Sequence, residues 1–428
     1  MEIGDRLFRR ESGRIVTALS RIFGLENVAL AEDVAQDVFC RAVEVWKLRG
    51  VPPNPSAWLM KSAKNRAIDV LRRERTAAKF EPELRRLFSS EWTLVPTVNE
   101  FFSAESIKDD ELRMIFSCCD PSLAQDVQVA LTLQLVCGFT GAEIAAAFLQ
   151  KRATIEKRIE RGKKALAGSK RLFDLSDRDL PGRCAAVRRA IYLLFNEGYH
   201  GASREGAVRG ELCREAMRLG ALLLENPLVA EPESYALCAL MWLHAARLRA
   251  RTDRLGNLVA LADQDRSLWD AAMIAKGNEL LDRSAIGAAL SEYHVEAAIA
   301  SVHSGAAHAD ETDWSRLVWL YDLLMQIRPS PVVALNRAIA LAQRSGPESG
   351  LAALAEIAQS EELAAYPFLP AALGELELRA GRAGRACEHF EAAVLLARSP
   401  MERRFLEQRA EAAAAAASKL QPRGADAG

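Results

Sequence analysis

The sequence has few of the features that would place a chain in a membrane or outside the cell. Among its 428 residues no apolar run approaches the roughly 18 that a membrane-spanning helix needs, and the longest candidate, residues 236–246, is flanked by Glu233 and Arg247. The charged N-terminus has no secretory apolar segment. We therefore expect a cytoplasmic protein with no membrane contact, in which the eight cysteines are reduced thiols, most of them in the core.

Signatures of catalysis and of metal binding are also missing. The sequence contains no CxxC pair, no HExxH helix, no GxSxG elbow, no GxGxxG turn and no GxxxxGK[ST] loop. The six histidines are scattered, and His303 and His308 share a loop-like stretch without the spacing of a helical ligand pair, so we expect them at the surface. These absences predict no metal, no cofactor and no catalytic residues, and an enzyme is the weakest of the functional classes.

What the sequence does contain is apolar residues at helical spacing. Half of the residues, 50%, are hydrophobic and 26% are charged, which is the balance of a folded globular protein. No sustained two-residue alternation and no Asn-Gly hairpin signal interrupts the helical pattern. The sequence predicts an all-α fold and, at roughly 150 residues per domain, about three domains.

Breaks in the helical pattern divide the chain. GVPPN at 50–54 separates two helices, Pro82 and Pro96 mark an acidic irregular stretch, and DLSDRDLPG at 174–182 precedes an alanine- and leucine-rich half. The predicted organisation is a helical module at 1–78, a flexible linker at 79–106, a second helical module at 107–173, a helical-repeat domain at 180–420 and a disordered tail at 421–428.

The best repeat candidate in the second half lies between Pro370 and Pro400. Small residues and a phenylalanine fall at the offsets of a tetratricopeptide (TPR) motif: Leu373, Gly374, Ala386, Phe390 and Ala393. The pattern indicates a TPR-like domain, and a helical bundle that binds no ligand is the alternative.

Charge is concentrated in two basic islands. The formal net charge is -1, yet residues 61–79 carry seven basic side chains against two acidic ones, and residues 151–171 carry nine against two. Two basic islands in an acidic body are typical of a protein that makes two separate contacts with a phosphate backbone. Solvated helix faces are the alternative for either island alone.

The second island lies in a predicted helix-turn-helix. Thr140 and Glu143 form a capping box that starts a short helix, and after a turn at 149–152 a second helix follows. That second helix should present polar side chains to a DNA major groove: Arg152, Thr154, Glu156, Lys157, Glu160, Arg161 and Lys164. A structural helical hairpin remains the alternative.

The first island lies on a helix that Asn54 can cap, with Pro55 in its first turn. The helix is expected from Ala57 to about Arg75. An amphipathic and acidic helix, residues 31–46, precedes it. An acidic helix beside a basic one indicates two different partners.

Three segments in order resemble a known family. AEDVAQDVF at 31–39, PSAWLMKSAKNRAIDVLRRER at 55–75 and the segment 131–166 are similar to regions 2.2, 2.3 to 2.4 and 4 of the extracytoplasmic-function (ECF) sigma factors of bacterial RNA polymerase. FSCCDP at 116–121 and YLLFNEGYHG at 192–201 further resemble the branch with a TPR-like C-terminal extension. The resemblance implies a sigma factor that directs core RNA polymerase to promoter DNA, with sigma region 2 at 1–78 and sigma region 4 at 107–173.

The resemblance also assigns roles to residues. It implies polymerase binding by Asp33, Gln36 and Asp37. It implies contact with the -10 strand by Asn65, Asp69, Arg72, Arg73 and Arg75. It implies contact with the -35 element by Arg152, Thr154, Lys157, Arg158, Arg161 and Lys164.

This sequence departs from the family pattern at several positions. Leu149 and Lys151 replace the usual turn Gly and capping Ser, Gly162 replaces the usual Ala, and Asp120 stands where the branch commonly has His. A less rigid recognition helix is therefore expected. The C-terminal domain is expected to modulate activity, with a regulatory protein as a possible partner. An adaptor anchored to polymerase or DNA by its N-terminal modules is the alternative function.

Overall fold

A computed structural model describes residues 2–74, 91–148, 150–168, 178–200, 210–287, 290–398 and 400–420. Within these ranges the chain forms nineteen α-helices and no β-strand, and the all-α expectation is confirmed. One isolated bridge joins Thr252 and Leu258. Every helix in the described ranges is too short or too polar to cross a lipid bilayer.

Most of the described helices follow one another after short connections. The first ten are α1 Glu2–Phe23, α2 Val28–Arg49, α3 Pro55–Glu74, α4 Glu91–Phe101, α5 Ala104–Cys118, α6 Gln125–Leu131, α7 Gly141–Ala147, α8 Arg152–Gly168, α9 Leu180–His200 and α10 Gly210–Glu225. The other nine are α11 Pro232–Ala245, α12 Ala271–Ser284, α13 Glu292–Gly305, α14 Trp314–Ile327, α15 Pro331–Ser345, α16 Pro347–Ile357, α17 Phe368–Arg379, α18 Ala383–Leu395 and α19 Pro400–Leu420.

Two compact units divide the chain. The first comprises Met1–Leu194 and Arg218–Ala230, and the second comprises Phe195–Met217 and Glu231–Gly428. The first unit therefore contains both predicted sigma modules together with parts of α9 and α10. The functional domain boundaries stay predictions, because a compact unit need not coincide with a functional domain.

Helix α1 lies in the middle of the first unit. Its apolar side chains Ile15, Leu19 and Ile22 are fully buried, and it packs against α2, α3, α5 and a π-helical turn at Thr132–Val136. The contact with that turn is backbone to backbone, since a Cβ atom on Gly13 would lie 1.7 Å from the carbonyl oxygen of Val136. Only glycine fits there. Helix α1 thus joins the segments predicted as regions 2 and 4.

The segment predicted to be an irregular linker is largely helical where the structure describes it. Helix α4 covers Glu91–Phe101 with Pro96 inside it, and α5 begins at Ala104. Proline lacks the N–H that a helix interior uses, which is why the sequence favoured a break. Val98 is fully buried, so packing outweighs the local preference. Residues 79–90 lie outside the described ranges, and flexibility there stays a prediction.

In the second unit, consecutive helices pack on one another. Helices α15 to α17 enclose a cluster around Leu335, Leu354 and Leu376. Helices α17 and α18 cross where a Cβ atom on Gly374 would lie 3.1 Å from the ring of Phe390. Four of the five residues that the TPR pattern singled out are buried in this pair, Gly374, Ala386, Phe390 and Ala393, whereas Leu373 is half-buried.

Most cysteines lie in the core, and one of the two histidines expected at the surface does not lie there. All eight cysteines are free, and six of them are buried, as expected for small core residues. The expectation that His303 lies in a surface loop is wrong, because α13 extends to Gly305 and His303 is 9% exposed on its inner side. Its ring contacts Trp314 edge to face at 5.7 Å. His308 is exposed as expected.

Candidate polymerase and nucleic-acid interfaces

One face of α2 is a polar stripe. Val34 and Val38 are buried against α1, and this orientation leaves Asp33, Gln36 and Asp37 exposed. Their spacing of three and four residues places them on one side of the helix. The three residues predicted to bind polymerase therefore share one accessible surface.

That acidic stripe contacts the neighbouring basic helix. The Asp37 carboxylate accepts a hydrogen bond from Arg66 of α3 at 2.9 Å, with 60% of the Asp37 side chain exposed. A surface pair of this kind contributes little stability, at most about 1 kcal/mol. Asp37 can exchange Arg66 for a cation on a partner.

Helix α3 begins as predicted and ends in basic residues. The backbone N–H of Ala57 donates to the Asn54 side chain at 3.0 Å, which caps the helix. Leu59 and Ala63 are fully buried. The residues predicted to contact the -10 strand are exposed where the structure describes them: Asn65, Asp69, Arg72 and Arg73.

At this exposed end the Asp69 carboxylate lies 4.0 Å from the Arg72 guanidinium, one turn further along the helix. Arg73 follows Arg72 directly and is exposed as well. Arg75 lies outside the described residues. Basic side chains in the last turn also complement the helix dipole.

The capping box predicted at Thr140 is present. The Glu143 N–H donates to the Thr140 hydroxyl at 3.2 Å, and the Thr140 N–H donates to the Glu143 carboxylate at 2.8 Å. These reciprocal bonds start α7. Helix α8 follows after residues 148–151, so a short helix precedes the basic helix as the sequence indicates.

Helix α8 presents a basic, solvent-facing side. Lys157, Arg161 and Lys164 are exposed beside Glu160 on one face of the helix. Within the helix, Lys164 pairs with Glu160 at 2.7 Å. Arg152, at the helix start, pairs with Glu156 at 2.6 Å. Such exposed pairs are weak and exchange readily for phosphate oxygens.

Two residues of the predicted -35 set face inward. Thr154 is half-buried, and Arg158 is 28% exposed with its guanidinium 2.8 Å from the Asp126 carboxylate of α6. Asp126 lies 32 residues before Arg158 and carries no local signal of the pairing. The structure thus divides the predicted set into an exposed outer group and the less exposed Thr154 and Arg158, of which Arg158 holds α8 on the module through Asp126.

A long-range contact that the sequence did not predict joins α8 to α2. Lys163 pairs with Glu32 at 2.6 Å, and the Gln134 side chain donates to the same carboxylate at 2.9 Å. Glu32 is the neighbour of Asp33. In this structure the polar stripe of α2 and the basic helix α8 belong to the same unit.

Gly162 is explained by packing. A Cβ atom there would lie 2.5 Å from the end of the Leu131 side chain. The glycine that suggested a less rigid helix therefore lets α8 approach Leu131 closely, and its helix-propensity cost of about 1 kcal/mol is offset by that contact.

Asp120 of the FSCCDP segment organises a turn. Its carboxylate accepts hydrogen bonds from the Ser122 hydroxyl at 2.6 Å and backbone N–H at 2.9 Å, and it pairs with Arg183 of α9 at 3.0 Å. Burial alone would raise the pKa of Asp120, but these bonds and the Arg183 charge outweigh it and hold the pKa below its ordinary value.

Comparisons with known proteins match two parts of this all-α chain to protein families. Residues 7–77 match the family described as Sigma-70 region 2. Residues 183–285 match a family of unknown function, DUF6596. No solved structure matches the chain.

Two curated relatives extend the comparison. The chain is 37% identical over 399 residues to an uncharacterized protein of Rhizobium meliloti (strain 1021), and the alignment covers 93% of each chain. It is 28% identical over 156 residues to the ECF RNA polymerase sigma factor SigK of Mycolicibacterium vanbaalenii, covering 34% of this chain and 74% of that protein. The chain belongs to the family of the rhizobial protein. The region 2 match and the SigK match support a sigma-factor role in transcription initiation.

Proposed function

We propose that this protein is a non-enzymatic, cytoplasmic sigma factor that directs core RNA polymerase to specific promoters, with its C-terminal helical domain modulating that activity. The observation that carries the proposal is the exposure, on one unit, of the α2 stripe and the basic side of α8. Surfaces of opposite charge suit two different partners, a cationic protein surface and a nucleic acid.

Polymerase binding is assigned to the α2 stripe. Asp33 and Asp37 are exposed carboxylates four residues apart, and Gln36 adds a neutral hydrogen-bonding group between them. Acidic groups at a rim mainly speed association and set orientation. Arg66 holds Asp37 in the free protein and would be displaced by the partner's cation.

DNA contacts are assigned to the ends of two helices. Arg72 and Arg73 at the end of α3 would hold the -10 strand through its phosphates, with Asn65 and Asp69 on the preceding turns. Helix α8 would enter the major groove of a -35 element through its outer group, of which Arg161 can bond a guanine edge with two donors. This makes α7 and α8 a helix-turn-helix.

The C-terminal extension is proposed to be TPR-like and to modulate the sigma modules. Support comes from the first unit, which includes the start of the extension. Arg183 of α9 bonds Asp120 and the Phe116 carbonyl oxygen, and Arg218 of α10 pairs with Glu111 at 3.3 Å. A protein bound to the later helices could act on the modules through α9 and α10, and the proposal includes such a partner.

The decisive experiment is charge reversal on the α2 stripe. Asp33→Lys with Asp37→Lys should reduce association with core polymerase at least tenfold, because carboxylates that face cations become like charges. Association is measured by pull-down, and promoter-directed transcription is measured in parallel with purified core enzyme.

A matched control carries the same charge change elsewhere. Glu407→Lys with Glu411→Lys reverses two exposed carboxylates at the same spacing on α19 and should leave association unchanged. Unchanged association in the α2 variant would exclude this docking face. Association without promoter-directed initiation in the wild type would favour the adaptor function.

A further inference from the structure

An irregular segment between α11 and α12 gathers three arginines. Arg247, Arg251 and Arg266 belong to the second unit and lie among short 3-10 turns. Arg247 is only 6% exposed. A buried guanidinium is costly unless a counter-charge and hydrogen-bond partners surround it, so its surroundings indicate what it binds.

Two of the arginines share one aromatic ring. The guanidinium carbons of Arg247 and Arg266 lie 5.6 and 4.7 Å from the centre of the Trp269 ring. The third, Arg251, lies 3.9 Å from the centre of the Tyr199 ring, and the Tyr199 hydroxyl accepts a hydrogen bond from Arg247 at 3.0 Å. The three cations are therefore held on adjacent rings.

The positive charges of this cluster lack a direct ion-pair partner among the described residues. None of the three guanidinium groups forms a salt bridge with a carboxylate in the part of the chain that the structure describes. Burial, together with the charge of Arg247, lowers the pKa of Arg266, although Asp310 and Glu311 act in the opposite direction. Carboxylates therefore lie near the cluster without forming an ion pair with it in the described part of the chain.

His303 borders the same cluster. Burial and the charges of Arg247 and Arg266 lower its pKa to about 3. The imidazole is therefore neutral at physiological pH, and it neither adds to the positive charge nor balances it.

Several hydrogen-bond donors in the cluster are buried and unused. The Nε atoms of Arg247 and Arg251 and the Nε1 atom of Trp269 have no hydrogen-bond partner among the residues that the structure describes. The Gln264 Oε1 atom nearby in the chain is also unpartnered. Arg266, by contrast, donates to the carbonyl oxygens of His303 and Ala306 and so holds the local backbone. Unused buried donors on guanidinium groups that form no ion pair are an arrangement that an oxyanion satisfies.

We propose that Arg247, Arg251 and Trp269, supported by Arg266, form a binding site for a small oxyanion, the phosphate or carboxylate group of a soluble ligand. A guanidinium presents its N–H donors in a plane that matches either group. An oxyanion would neutralise part of the cluster and accept from the three unused donors. The site lies within residues 183–285, the matched family without a known function.

The test is direct titration of the full-length protein. Inorganic phosphate and, separately, malonate are added at constant ionic strength, with chloride as the non-specific anion, and heat and tryptophan fluorescence are recorded. Saturable binding of one ligand per chain is expected, with an emission change that Trp269→Phe abolishes. Binding of phosphate alone indicates a phosphate site, and binding of malonate alone indicates a carboxylate site. Binding of both indicates that the site accepts either group.

Arg251→Gln should weaken that binding at least tenfold, and it removes a guanidinium group that lies over the Tyr199 ring. Arg283→Gln is the matched control, since Arg283 also lies over a tyrosine ring, 4.4 Å from the Tyr235 centre, but donates to that hydroxyl. Absence of saturable binding of both anions, or equal affinity in the Arg251 variant, would overturn the proposal. This readout involves no transcription, so its failure is separate from failure of the sigma-factor role.

Discussion

Single side chains on α8 differ in what they contact. Arg161 points to solvent, whereas Arg158 pairs with Asp126 at 2.8 Å and Lys163 pairs with Glu32 at 2.6 Å. The family resemblance groups arginines by position in the sequence. In the structure these side chains point in different directions. Substitution of an exposed one should therefore affect DNA binding, and substitution of a paired one should affect stability.

Arg161→Ala should weaken promoter binding by about 1 to 3 kcal/mol, because the side chain is free to bond a base edge. Fluorescence anisotropy of the holoenzyme on a promoter fragment, chosen by mapping transcript starts after overexpression, measures this loss. The melting temperature should not change.

Arg158→Ala is the matched comparison. It should lower stability by about 1 kcal/mol or less, because Asp126 loses a half-exposed partner, and it should affect promoter affinity less than Arg161→Ala. Equal losses of affinity in both variants would mean that α8 rotates about its axis when it binds DNA and presents Arg158 to it.

Asp120 provides a prediction about pH. Its pKa is lower in the folded protein than the ordinary value of 3.8. Its contribution to stability is therefore complete above that value and is lost as the pH falls through the folded value. Asp120→Asn should lower the melting temperature at pH 7, and the gap from wild type should close below pH 3.8.

Melting curves between pH 7 and pH 3 measure that gap. Asp282→Asn removes an exposed carboxylate in the second unit and serves as the control. A gap of constant size across this range would show that Asp120 acts through packing and not through its charge on Arg183.

Among the elements, α1 joins the two predicted modules most directly. Gly13 allows its backbone to meet the turn at Thr132–Val136, and any side chain would collide with a carbonyl oxygen that cannot rotate away. This contact lies within the first unit and is possible because glycine at position 13 has no side chain.

Gly13→Ala should destabilise the first unit by about 3 kcal/mol or more, since overpacking against backbone forces the helix to move. Gly182→Ala on α9 is the control, because a Cβ atom there meets nothing within 4 Å, and better helix propensity should leave stability unchanged or raised by up to about 1 kcal/mol. Thermal unfolding measures both. A Gly13 variant as stable as wild type would contradict the close approach.

For the whole molecule, the compact units change how the extension should be tested. Removal of everything after Arg178 would also remove Arg183 and Arg218, which bond Asp120 and Glu111 inside the first unit. Such a truncation would confuse loss of modulation with loss of folding. A chain that ends at Ala230 keeps all residues of the first unit.

Truncation after Ala230 should change promoter-directed transcription per mole of protein severalfold. An increase means that the extension inhibits the sigma modules, and a decrease means that it assists them. Circular dichroism checks folding, and truncation after Arg178 should melt at a lower temperature. A folded Ala230 truncation that transcribes at the full-length rate would contradict modulation.

The sequence by itself determined the features that depend on neighbours in the chain. Helical spacing predicted the all-α class, Asn54 and the pair Thr140 and Glu143 predicted two helix starts, and the apolar positions of α2 predicted its exposed stripe. These are local effects of period and capping, so one segment contains all the information needed.

Only the tertiary structure decided which distant residues meet. Glu32 and Lys163 are 131 residues apart, and nothing local to either predicts their ion pair. Packing made a helix around Pro96, placed Gly13 on the Val136 backbone and brought Arg247 to Trp269. Such contacts depend on how whole helices approach one another, because burial and shape complementarity outweigh the preferences of any single segment.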